Sequence, residues 1–102
     1  MLVTSSCGSN SQREQADLSS SQAHAKLAAI KRLADTMAQQ PDGPEARGAL
    51  EDFRNTPLDP RKHPKEADEI VEVYRQRIQG KYQGFVSQEI QAEMGSLLNR
   101  PK

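Results

Sequence analysis

The sequence predicts an all-α protein, a small bundle of three to four amphipathic helices preceded by a disordered N-terminal tail. Apolar residues recur at steps of three and four along most of the chain, which is the spacing of one helix face. The period-two alternation of β-branched residues that marks strands is absent. Helix-favouring residues such as glutamine, alanine, glutamate, lysine and arginine dominate. With 102 residues, the chain has the length of one small domain.

Residues 1–19 are predicted to be a flexible polar tail or tether. They are rich in serine, glutamine and small polar residues and contain little that a core could bury. Such a segment cannot offset the conformational entropy that ordering would cost. The remaining residues, 20–100, are therefore predicted to form a single helical-bundle domain.

The first helix is predicted to begin at Ser19 and to end before Pro41. Ser19 and Gln22 have the spacing of a capping box, in which two side chains bind backbone amides at a helix start. Residues 41–44 include two prolines and a glycine, which stop a helix. The apolar stripe of this helix consists of Leu27, Ile30, Leu33, Ala34 and Met37.

A second, shorter helix is predicted from Pro44 to Arg54. Asp42 is placed to cap it, and Glu45 lies where the positive end of the helix dipole favours an acid. In the polar connection that follows, Leu58 is the one large apolar residue and is predicted to point inward. The apolar face of the second helix consists of Ala46, Ala49, Leu50 and Phe53.

A third helix is predicted to begin at Pro64, and residues 64–99 form either one helix or two. At roughly 100° per residue, they carry two apolar stripes that lie about 100–130° apart on one helical cylinder. Gly80 and Gly84, which disfavour helix, lie at the change of direction. We favour a break there and a fourth helix from Gly84 to Asn99; one long helix is the alternative. The first stripe is Ala67, Ile70, Val71, Tyr74 and Ile78, and the second is Ile90, Met94 and Leu97.

Composition excludes several classes of function. Fourteen basic and fourteen acidic side chains leave no net charge, which argues against a nucleic-acid partner. The mean hydropathy of -0.84 argues against a membrane-spanning segment. A single cysteine builds neither a disulfide framework nor a cysteine-rich zinc site. Because His24 and His63 have no histidine or cysteine at helical spacing, we predict no metal site and no cofactor.

The sequence also predicts that the chain is not an enzyme and has no catalytic residues. Its carboxylates fall on helix faces beside basic residues, the arrangement of solvated ion pairs. Gly80 and Gly84 are isolated and lack the lysine and hydroxyl residue of a phosphate-binding loop.

The residues around the single cysteine resemble the processing site of bacterial lipoproteins. In that family small residues precede a cysteine that becomes lipidated, and a flexible polar tether follows. Ser5, Ser6 and Gly8 match the small residues of this pattern. Thr4 stands where the family usually has an aliphatic residue, and the six residues before the cysteine are too few for an apolar signal segment. The resemblance implies a sequence that starts late and a lipid on Cys7; the alternative is an unmodified thiol in the tail.

Two functional hypotheses follow. The first is a non-enzymatic helical protein-interaction module, held at a bacterial membrane through Cys7 and extracytoplasmic. Its partner would dock on the second helix or on the stripe of Ile90, Met94 and Leu97. The lipoprotein resemblance implies an accessory or assembly factor of an envelope complex. The second hypothesis is a soluble cytoplasmic regulator that self-associates through its C-terminal helices.

Lipid attachment at Cys7 has a direct test in the intact mass of the protein isolated from its native cell. The lipoprotein hypothesis expects a mass that exceeds the peptide mass by a diacylglycerol group, and expects Cys7→Ser to abolish the increment. A native protein with a free Cys7 thiol would contradict it.

Overall fold

The protein is described by a computed structural model that gives the backbone of residues 2–99 and the side chains of residues 19–99. It contains four helices: α1 (Leu2–Gln39), α2 (Pro44–Asn55), α3 (Pro64–Arg77) and α4 (Phe85–Leu98). Within residues 2–99 no strand occurs, so the predicted all-α bundle is confirmed. The side chains of the predicted tail up to residue 18, including Cys7, lie outside the described residues, so the tail stays a prediction.

Helix α1 is the element around which the bundle is arranged. Helices α2 and α3 both pack along α1, and α4 packs against α2 and α3. The predicted stripes of α1 and α2 are fully buried, because each turns its apolar residues toward the same core. Leu58 is partly buried against this core, as its sequence context predicts. Burial of each large apolar side chain stabilises the fold by about 1.5–3 kcal/mol, before conformational entropy is counted.

Two helices, and not one, occupy residues 64–99. Helix α3 ends at Arg77 and α4 begins at Phe85, which confirms the predicted break. Gly80 has φ 76° and Gly84 has φ 120°, backbone angles that residues other than glycine rarely adopt. Because the helix is interrupted between Arg77 and Phe85, both stripes contribute residues to the core.

Ser19 has a different role from the predicted helix cap. Its backbone is helical within α1. Its Oγ lies 3.0 Å from Nε2 of His63, the residue that precedes α3. The hydroxyl therefore contacts the start of α3, and the capping-box prediction is wrong.

Asp42 caps a helix, but not the one that the sequence predicts. The residue before α2 is Gly43, which has no side chain to offer. The Asp42 carboxylate reaches instead to the start of α4, where Oδ1 accepts the N–H of Val86 at 2.9 Å and Oδ2 accepts that of Phe85 at 3.3 Å. These amides have no acceptor within α4, so the turn between α1 and α2 supplies their hydrogen bonds.

Gly84 is required by this cap as well as by its own backbone. A Cβ at this position would collide with the Asp42 carboxylate, and φ 120° would be strained for any side chain. Gly95, near the C-terminal end of α4, is the opposite case, because a Cβ there would meet no other atom of the described residues within 4 Å.

Alanine substitution is expected to have different effects at Gly84, which precedes α4, and at Gly95, within it. Gly84→Ala should lower the free energy of unfolding by about 1 kcal/mol or more, through strain and loss of the cap. Gly95→Ala, the matched control, should leave it unchanged or raise it by up to about 1 kcal/mol, because alanine favours helix. Urea denaturation followed by circular dichroism measures both, and equal effects at the two positions would refute this account of Gly84.

Candidate functional site

The stripe predicted to bind a partner lies inside the bundle. Ile90 and Met94 are 0% exposed and Leu97 is 8% exposed, and all three belong to the core cluster. A partner could reach them only by displacing α4. The expectation of an exposed stripe is wrong, because α4 packs this stripe into the core together with Val86.

An open groove lies instead between α1 and α2. It encloses about 420 Å³ and has a floor of small apolar side chains. Its α1 wall carries residues at the spacing i, i+3, i+4 and i+7, which share one flank of a helix. Three of these four residues are alanines, whose side chains are short. This flank of α1 is therefore apolar and leaves space beside α2. The lining residues are Ala25, Ala28, Ala29, Arg32, Asp52, Asn55 and Thr56.

One end of the groove is closed by an ion pair. The Arg32 Nη1 atom of α1 lies 2.7 Å from Asp52 Oδ2 of α2. Both side chains are more than half exposed, so the pair adds only a few tenths of a kcal/mol to about 1 kcal/mol of stability. Its position gives the groove a charged rim that can bond a polar partner group.

The other end of the groove is held by Lys26, next to the alanine floor. Its Nζ donates to the backbone oxygens of Phe53, at 2.6 Å, and Thr56, at 2.7 Å, at the C-terminal end of α2. The ammonium also lies 4.0 Å from the centre of the Phe53 ring. Burial lowers the pKa of Lys26 below its ordinary value of 10.5, while Glu93 opposes the change. Lys26 therefore joins α1 to the C-terminal end of α2, next to Thr56 of the groove.

Helix α2 is fixed from its other side by Arg54. The guanidinium bonds Glu89 of α4, and it lies 3.1 Å from Glu51 and 3.3 Å from Glu93. The hydrogen bond to Glu89 raises the pKa of Arg54. Arg54 therefore stays charged and ties α2 to α4. Helix α2, which forms one wall of the groove, is thus held by contacts with α1 on one side and with α4 on the other.

The two histidines are placed at the contact of α1 with α3. His24 Nε2 lies 3.2 Å from Glu66 Oε2, and His63 contacts Ser19. Among the described side chains no group of three histidine, cysteine, aspartate or glutamate residues is arranged to hold a metal ion. The histidines join two helices in this arrangement.

Sequence reasoning missed the groove although its signal is present. Alanines at 25, 28 and 29 precede Arg32 at helical spacing. Alanine favours helix and packs in cores equally well, so its pattern alone does not distinguish a buried face from a low exposed flank. The position of α2 beside α1 shows that these alanines line an open groove.

Comparison with protein-family models, with curated proteins and with solved structures finds no match to this chain. Among the described residues, no helix combines the length and the apolar character needed to cross a bilayer.

Proposed function

We propose that this chain is a non-enzymatic helical protein-interaction module whose groove between α1 and α2 receives an amphipathic segment of a partner protein. The observation that carries the proposal is the alanine floor of the groove, with polar groups at its two ends. An amphipathic helix binds by laying its apolar side chains into such a groove while its polar residues meet the rim.

The shape of the groove supports this class of ligand. Ala25 and Ala28 are exposed along its floor, so a partner's larger apolar side chains would cover surface that water now contacts. At the rim, Asn55 can both donate and accept hydrogen bonds, and Arg32 and Asp52 offer opposite charges. A long open groove of this kind suits a peptide segment better than a small molecule that needs enclosure.

The groove is also held in a fixed form before any partner arrives. Lys26 and Arg32 connect its two walls at opposite ends. Arg54 holds α2 against α4. Since these contacts order the walls in advance, binding would cost little further conformational entropy in this chain.

The proposal places the module at a bacterial membrane, tethered through a lipid on Cys7, as an accessory or assembly factor of an envelope complex. That part rests on the resemblance of residues 2–11 to lipoprotein processing sites. A soluble, cytoplasmic, self-associating regulator is the second candidate, and the outer face of α4 favours it.

Site-specific photo-crosslinking in the native cell tests the groove. A benzophenone amino acid is introduced at Ala28, on the floor, or at Glu69, an exposed position of α3 that serves as the matched control. The Ala28 position should give a discrete adduct with another protein, because its ring would lie against the bound segment. The adduct should weaken at least fivefold when Ala25→Arg fills the floor.

The Ala25→Arg variant should keep the circular dichroism spectrum of the unaltered chain, since residue 25 is exposed. No adduct from position 28, or an equal adduct from position 69, would overturn the assignment of the groove.

A further inference from the structure

The outer face of α4 differs in chemistry from the other exposed helix faces. The charged side chains of α4 are Glu89 and Glu93, and both pair with Arg54 of α2. The residues that α4 itself exposes are therefore uncharged, whereas α3 exposes charges of both signs. The residues of this outer face of α4 are Phe85, Gln88, Gln91, Ala92, Gly95 and Ser96.

Phe85 is the first residue of this face, and its large apolar side chain is exposed to solvent. It is 47% exposed, and among the described residues it is the one large apolar side chain classed as exposed. The Arg47 guanidinium of α2 lies 4.9 Å from the centre of its ring, and Arg47 Nε donates to the Asp42 backbone oxygen at 3.1 Å. The ring is thus held in place from one side, which lowers the entropy cost of packing its other side against a partner.

Gly95 lies further along the same face. It has no side chain and leaves space there, whereas Phe85 has a large side chain at the other end of the face. A Cβ at residue 95 would meet no atom of the described residues within 4 Å, so none of these residues requires a glycine at this position. Alanine would favour the helix more. A glycine with open space above it is instead suited to the close approach of a group from outside the chain.

Phe85, Gln88, Ala92 and Gly95 follow one another at steps of three, four and three, which is the heptad spacing of a helix–helix seam. In an antiparallel pair of α4 helices with a two-fold axis near residue 90, Phe85 faces Gly95 of the second copy. In the same register Gln88 faces Ala92 of the second copy. Each large residue then meets a small one, and the symmetry repeats both contacts.

We propose that a second copy of this chain docks on the outer face of α4 as an antiparallel helix pair. In this register the facing positions 85 and 95, and 88 and 92, are uncharged, so none of these pairs brings like charges together across the axis. Gln88 and Gln91 both donate and accept hydrogen bonds, so the amides of a second copy are suitable partners. A protein of unrelated sequence would more commonly be selected by complementary charge, which this face does not offer.

The area that one pair of α4 helices can bury indicates how tightly the two copies associate. A helix of 14 residues is about 21 Å long. One such pair buries an area at or below the lower end of stable interfaces, about 1,200 Å². The dimer is therefore reversible and dissociates on dilution. It uses a different surface from the groove, so either proposal can fail without the other.

Sedimentation velocity over a dilution series tests the dimer on the full chain, with Cys7→Ser in every sample to prevent disulfide-linked pairs. The parent chain should show a concentration-dependent monomer–dimer equilibrium. Gly95→Leu should weaken association at least tenfold, because it fills the space that Phe85 of the second copy occupies. Gln76→Lys, at an exposed position of α3, is the control and should leave the equilibrium unchanged.

A charge-pair experiment tests the register. Gln88→Lys alone and Ala92→Glu alone should each associate more weakly than the parent, because like charges then approach across the axis. A mixture of the two should form a heterodimer at least tenfold more strongly than either variant pairs with itself. A chain that stays monomeric at all concentrations, or a dimer that neither Gly95→Leu nor the mixture affects, would overturn the proposal.

Discussion

The bonds between the Asp42 carboxylate and the first amides of α4 are the interaction on which the arrangement of the bundle depends. They join the turn after α1 to the start of the last helix, across 43 and 44 positions of sequence. Gly84 makes room for the carboxylate and supplies the backbone angle that brings the chain to it. Together they anchor the start of α4 at this turn, while burial of its apolar side chains directs their stripe toward the core.

Both candidate surfaces follow from that orientation. With Ile90 and Met94 in the core, Glu89 and Glu93 reach Arg54, and α2 is held against α4. Helix α2 is then placed beside the alanine flank of α1, where Lys26 and Arg32 cross to it and the groove forms. In the same orientation of α4, Phe85 remains outside the core, among the uncharged exposed residues of this helix. The groove favours a segment of another protein, and the outer face of α4 favours a second copy.

Much of the fold could be predicted because the helices are amphipathic and their breaks are marked by glycine and proline. The buried stripes of α1 and α2, the break before α4 and the inward position of Leu58 all follow from local pattern. The role of Asp42 could not be predicted, since its acceptor oxygens serve amides that are distant in sequence. Local capping rules select the nearest helix, which here is α2.

The candidate site was less predictable than the fold. Helical spacing identifies Ile90, Met94 and Leu97 as one apolar stripe, but spacing alone does not distinguish a stripe that enters the core from one that a partner covers. The groove depends on where α2 lies beside α1, which alanine spacing alone does not specify. Cys7 lies outside the described residues, so its lipid remains an inference from resemblance.

Amide hydrogen exchange at Val86 tests most directly whether the Asp42 carboxylate anchors the start of α4. This amide lies in the first turn of the helix and has no acceptor within it; Asp42 Oδ1 accepts its hydrogen, and the burial of Val86 also shields it from solvent. The amide of Gln88, which bonds the backbone oxygen of Gly84, is the internal reference. We predict slow exchange at both amides, with protection at Val86 lost first in Asp42→Ala. Exchange at Val86 as fast as at a free helix terminus in the unaltered protein would contradict the account.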